Sequence, residues 1–230
     1  MISALVKQVR TRGIRGTVAY AAEIVGDRCT DWIDASFDRR YDTDTGGIID
    51  DMAALEVGAD RSDSARGYQG IQILVFRRIL KDLRNLGFDP GGFTFVDFGS
   101  GKARAVMMAA EKGFAASHGV ELSPVLHAVA ERNVARFRAK NVTAGPISLR
   151  CQDATVFDIP PGDLVAFFYN PFDAEILARV LANLDDACRR SPRRLIIVYR
   201  NPRHADAFAA HPHLRCVHMS PDYQIYSRAP

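Results

Sequence analysis

The sequence is poor in the features that mark disulfide scaffolds, metal centres and membrane spans. Its four cysteines, Cys29, Cys151, Cys188 and Cys216, lie far apart with no C-x-x-C. A disulfide framework and a structural zinc are therefore not expected, and a reducing cytoplasmic setting is. The six histidines include no H-E-x-x-H, and His211 and His213, flanking Pro212, read as loop residues. Metal catalysis has no support in the spacing, and no metal ligands are predicted. No run approaches the ~18 consecutive apolar residues of a spanning helix. Residues 1–9 place Lys7 inside a short apolar run and lack a small-residue cleavage site, so no signal peptide is expected.

Net charge is also small, because 30 Lys and Arg nearly balance 27 Asp and Glu. A net +3 over 230 residues does not point to nucleic acid. The composition, 47% hydrophobic and 25% charged, is that of a globular chain with a sizeable core, not of a disordered or fibrous one. The distribution is more telling. Residues 31–63 hold three bases and ten acids, a net of −7, against basic flanks. Such a segment is either a solvated face or part of a site for a cationic substrate.

Residues 1–25 predict a helix with Ile2, Leu5, Val6 and Val9 on one side and Lys7, Arg10, Arg12 and Arg15 around the rest. It either packs on the body or touches a membrane surface peripherally. Residues 38–51 read as a loop. Residues 68–86 predict a helix with an apolar face of Ile71, Leu74, Val75, Ile79, Leu83 and Leu86, closed by Gly87. From residue 93 the chain alternates. Strands are predicted at 93–98, 117–122, 147–151, 163–169 and 194–200, with helices at 102–112, 124–140, 174–189 and 203–210. Strands at 214–219 and 223–228 have no helix between them. The pattern predicts an α/β fold: a doubly wound, mostly parallel seven-stranded Rossmann-like sheet, an antiparallel C-terminal hairpin and an N-terminal helical extension. The division is residues 1–66, helical and acidic, and 67–230, the catalytic domain.

The chemistry-bearing segment is Asp97-Phe-Gly99-Ser100-Gly101-Lys-Ala-Arg104, where the first strand turns into the first helix. In a doubly wound sheet this crevice receives ligands. Gly99 and Gly101 permit unusual backbone angles and remove side chains that would obstruct a ligand. A dinucleotide turn wants a small residue at position 104, where this chain has Arg104. Asp97 can accept from a cationic amine or from surrounding amides. Glu121, ending the second strand, suits vicinal ribose hydroxyls. Asp153, just past the third strand, can accept from an exocyclic adenine amine. Tyr169-Asn170-Pro171-Phe172 ends the fourth, where Asn170 both donates and accepts and Phe172 covers a ring or methyl group.

Across residues 93–230 the sequence resembles the class I S-adenosylmethionine-dependent methyltransferases, through VDFGSGKAR (96–104), GVELSP (119–124), QDA (152–154) and YNPF (169–172). The resemblance implies S-adenosyl-L-methionine as cofactor. It implies that Asp97, Gly99, Ser100 and Gly101 surround the amino-acid moiety, that Glu121 holds the ribose and Asp153 the adenine, and that Asn170 to Phe172 lie beside the methyl. The Gly-Ser-Gly-Lys turn is also similar to that of the non-SET protein lysine methyltransferases, although Ala103 stands where a glycine commonly follows the lysine. The implied function is methyl transfer to an acceptor, a small molecule or a protein, with an amine such as a lysine as one candidate. Asn170, Tyr169 and Asp44 are the candidate catalytic groups, with Asp42 beside Asp44 and with Tyr41 or Tyr68 as an aromatic wall for a cation. Two other readings stay open: a cofactor-binding scaffold without catalysis, and a nicotinamide-dependent oxidoreductase.

Overall fold

Near-continuous burial along the central strands, with successive residues facing opposite layers, decides the architecture. The computed structural model describes residues 30–49, 55–56 and 67–228. The helix predicted over 1–25 lies outside them. Helix α1 spans 30–41. A two-residue ladder, β1 (Ile48–Ile49) with β2 (Tyr68–Gln69), precedes α2 (Ile73–Asn85). The main sheet is built from β3 (Thr94–Phe98), β4 (Ala116–Glu121), β5 (Ile147–Cys151), β6 (Leu164–Tyr169), β7 (Leu195–Arg200), β8 (Arg215–Met219) and β9 (Tyr223–Arg228). Between them run α3 (Arg104–Glu111), α4 (Pro124–Lys140) and α5 (Ala174–Arg190), with short 3-10 turns at Ala154–Val156 and Ala205–Ala210.

The strand order is β5-β4-β3-β6-β7-β9-β8. The first five strands are mutually parallel, while β9 runs antiparallel to both β7 and β8. Chain direction across the sheet reverses between β3 and β6, which opens a crevice at their carboxyl ends. Phe95, Val165, Phe167, Ile196 and Val198 face one apolar layer, shared with α1 to α4. Val96, Phe98, Ala166, Phe168 and Ile197 face the other, against α5. The period of two, buried on both faces, is what a doubly wound sheet requires.

Two expectations change. Helix α2 starts at Ile73, because Tyr68 and Gln69 are engaged with β1 and Gln72 is extended. Its buried residues are Ile73, Phe76, Ile79, Leu80 and Leu83, so Leu74 and Leu86 face solvent. The 38–51 loop is shorter than predicted: α1 runs through residue 41 and Ile48–Ile49 are a strand. Phe37 and Tyr41 of α1 pack on Phe137 of α4, so this acidic segment shares the core of the sheet. No described helix is long and apolar enough to cross a membrane.

Candidate active site

The carboxyl ends of β3 to β7 surround one cavity of about 260 Å³. Its floor is the turn after β3. Gly99 and Gly101 have φ of +82° and +53°, and Ala103 follows at +70°. These angles let Gly99 and Ser100 donate their N–H groups to the Val120 carbonyl at 2.8 and 3.0 Å while the chain swings into α3. A Cβ on Gly99 would fall 2.5 Å from Pro171 Cβ, and one on Gly101 would fall 2.3 Å from Tyr68 Cε2. The two glycines are therefore demanded by the protein's own packing, and both also line the cavity.

Three acids line the cavity: Asp97, Glu121 and Asp153. Asp97 is 4% exposed, and nothing among the described residues donates to its carboxylate. Burial, reinforced by the negative charge of Glu121, holds its pKa well above the usual carboxylate range. Glu121 accepts from Gly101 N–H at 2.7 Å and from Ser123 N–H at 2.8 Å. Burial raises its pKa too, against the lowering pull of these amides. Asp153 caps the Ala154–Val156 turn by accepting from Thr155 N–H at 2.8 Å.

The opposite wall is Tyr169 to Phe172. Asn170 sits at φ +41°, and its Oδ1 accepts from Tyr199 OH at 3.2 Å. Tyr169 donates to Gln69 Oε1 at 3.1 Å, under the Arg200 guanidinium. Burial pushes the Tyr169 phenol up, so it stays protonated.

The acidic segment behaves differently from expectation. Asp44 does not line the cavity. Its carboxylate lies 3.0 Å from Lys102 Nζ. Asp42 is exposed beside Arg136. Tyr41 is buried in an aromatic cluster and donates to Glu111, so it walls no site. Tyr68 does line the cavity, with its hydroxyl donating to the Thr45 carbonyl at 2.7 Å. The acids of α1 serve Arg104, which is 4% exposed: Asp34 lies 3.1 Å and Asp38 3.6 Å from its guanidinium. Burial lifts the Asp34 carboxyl above the usual range despite Ile73 N–H and Arg104.

Solved structures share this fold. A magnesium protoporphyrin IX methyltransferase from Synechocystis, solved with bound S-adenosylmethionine, matches with a TM-score of 0.51 at 14% identity, covering 68% of this chain and 79% of that one. The chain has the class I methyltransferase fold. An RNA methyltransferase from Salinibacter ruber, in complex with S-adenosyl-L-homocysteine, matches at 17% identity with a TM-score of 0.46, covering 69% of this chain and 91% of that one. The narrower likeness to lysine methyltransferases finds no support among these matches. No protein-family model and no curated protein sequence matches the chain.

Within the methyltransferase fold, the cavity brings together Asp97, Gly99, Ser100, Gly101, Glu121, Asp153, Tyr169 and Asn170 from the sequence reading, and leaves out Asp44. It also includes Gln69, Asn201 and Arg203, which that reading missed. A signal existed for two of them. Asn201-Pro202-Arg203 follows β7 as Asn170-Pro171-Phe172 follows β6, and both asparagines have positive φ.

Proposed function

We propose that the protein is a methyltransferase that uses S-adenosyl-L-methionine. The observation that carries this is Asp97, a buried carboxylate without a donor among the described residues, beside Glu121 at the switch point of this fold. Burial disfavours the charged form of such a group until a cationic partner arrives to stabilise it. The amino-acid end of the cofactor carries one, so the residues present fit the group.

When bound, the cofactor supplies a methyl group already activated on a sulfonium, so no protein nucleophile is needed. In this reading Asp97 takes the ammonium. Glu121 accepts from the ribose hydroxyls with the lone pairs that Gly101 and Ser123 leave free, and Asp153 accepts from the adenine amine. Pro171 and Phe172 keep water from the reacting end. Asn170 Oδ1, oriented by Tyr199, accepts from the incoming methyl acceptor and holds it in line. Tyr169, a neutral phenol bound to Gln69, positions rather than deprotonates. The carboxylates of Asp38, Asp42 and Asp44 are turned to Arg104, Arg136 and Lys102, which takes the two acids expected to receive an amine, Asp42 and Asp44, away from that role.

The test is calorimetric titration of the full chain with S-adenosylmethionine, S-adenosylhomocysteine and NAD, followed by transfer of a labelled methyl to a cell lysate. Binding of the first two with labelled product is the expected result. NAD binding without homocysteine-product binding would replace this reading with an oxidoreductase. Cofactor binding without any labelled product would make the chain a scaffold.

A further inference from the structure

The amino ends of the parallel strands, opposite the glycine turn, hold a second polar cluster. Asp185 sits in the C-terminal half of α5, and its side chain is only 7% exposed. Its Oδ2 lies 2.5 Å from His211 Nδ1, and its Oδ1 lies 2.6 Å from His213 Nε2. One ligand atom from each of the three residues falls within 4.8 Å of the others. His211 is 12% exposed and His213 is 35% exposed, so the cluster is closed toward α5 and open beside His213. Arg228, at the end of β9, also donates to Asp185 Oδ1 at 3.0 Å. Arg228 pairs in register with Leu195, the first residue of β7, which places the cluster at the far edge from Asp97 and Glu121.

We propose that Asp185, His211 and His213 form a structural site for a divalent first-row transition metal, for which zinc is the natural probe. Two imidazoles and one carboxylate are a donor set suited to zinc and its neighbours, whereas magnesium and calcium want more oxygen ligands. The present separations are hydrogen-bond distances. Ligand atoms around one zinc stand about 3.3 Å apart, given Zn–N bonds of ~2.0 Å. His211 and His213 must each draw back from Asp185 by under about 1 Å; both lie on the loop ahead of β8, and His213 is on the open side. Solvent supplies the fourth position from the same side. The Arg228 bond to Asp185 is the outer hydrogen bond that ligating carboxylates carry. Such an ion would clip the segment ahead of the edge strand β8 to α5. It takes no part in the methyl transfer proposed above, and the two ideas stand or fall separately.

The experiment is titration of the untagged, chelator-treated full chain with Co²⁺ and Zn²⁺. One ion per chain is expected, with the visible absorption of four-coordinate cobalt and a rise in Tm at saturating Zn²⁺. His213→Ala, a partly exposed position that tolerates truncation, should bind at least about tenfold more weakly and lose the Tm rise. His127→Ala removes a ring that pairs with Glu131 on α4, outside the cluster, and should keep both responses. The proposal is overturned if the parent binds no stoichiometric ion. It is equally overturned if both His211→Ala and His213→Ala bind with the parent's affinity.

Discussion

The Tyr68 ring occupies the space that a side chain on Gly101 would need. A Cβ there would fall 2.3 Å from Tyr68 Cε2 and 2.4 Å from Cδ2, and the φ of +53° is itself unfavourable to any L side chain. Left-handed backbone costs roughly 1–2 kcal/mol for a non-glycine residue, and a buried tyrosine must also move. Gly101→Ala is therefore expected to lose about 2 kcal/mol or more. Tyr68→Ala in the same chain should recover part of that loss. Urea unfolding of the four-member cycle checks this, with a coupling of about 1 kcal/mol expected. Strictly additive losses would show that the ring does not close the turn.

Glu121 holds two backbone amides as well as facing the cavity. Glu121→Ala removes charge-assisted bonds of about 1.5–3 kcal/mol each and leaves two N–H groups without acceptors. Affinity for S-adenosylhomocysteine should fall about tenfold or more, and the urea midpoint should fall with it. Calorimetry reads the first and circular dichroism the second. Unchanged affinity in a folded variant would take Glu121 out of the cofactor site.

Most strands and helices after residue 93 were legible because a sheet buried on both faces writes near-continuous apolar runs between turn residues. Ser123-Pro124 marked the start of α4, and Ser123 does cap it by accepting from Leu126 N–H. The start of α2 was not legible. The residues from Tyr68 are compatible with a helix, and only their long-range pairing with β1 holds Tyr68–Gln69 extended. Cavity-lining positions could be read because each lies at or just past a strand end. Partners of the acids could not, since Asp34 and Asp38 meet Arg104 from across ~70 residues of chain. For the same reason the sequence put His211 and His213 in a loop, where they lie, but could not show that Asp185 of α5 meets them there.

Asp97 gives the protein a pH dependence. Its native pKa is raised by burial and by Glu121, so the native state keeps the proton at pH values where the unfolded chain has released it. Stability contributed by this group is thus fully present below the unfolded value of ~3.9 and declines as pH rises toward the raised native one. Asp97→Asn removes the penalty. Between pH 5 and 8 the variant's advantage over the parent in urea unfolding should grow or hold, while its affinity for S-adenosylmethionine should drop. A variant that is less stable than the parent at pH 8 would mean that Asp97 is already compensated in the free protein.

Arg104 decides what the acidic segment is for. Its Nη1 lies 3.1 Å from Asp34 and donates to the Ile71 carbonyl at 3.0 Å, and its Nε donates to Thr45 Oγ1 at 2.7 Å. Arg104→Ala leaves two largely buried carboxylates without their cation, a loss of about 3–5 kcal/mol. Arg104→Lys should restore only part, because one ammonium cannot reproduce the planar fork. The contrasting variant is Asp42→Asn with Asp44→Asn. Both side chains are 68% exposed and lie outside the cavity lining, so stability should change by under about 1 kcal/mol. Methyl transfer, once an acceptor is in hand, should stay near the parent rate. Together these outcomes would assign Asp34 and Asp38 to anchoring α1 on Arg104. If the double variant instead keeps its stability and loses most of its transfer rate, these carboxylates receive the acceptor after all, and residues 42–44 must close over the cavity during turnover.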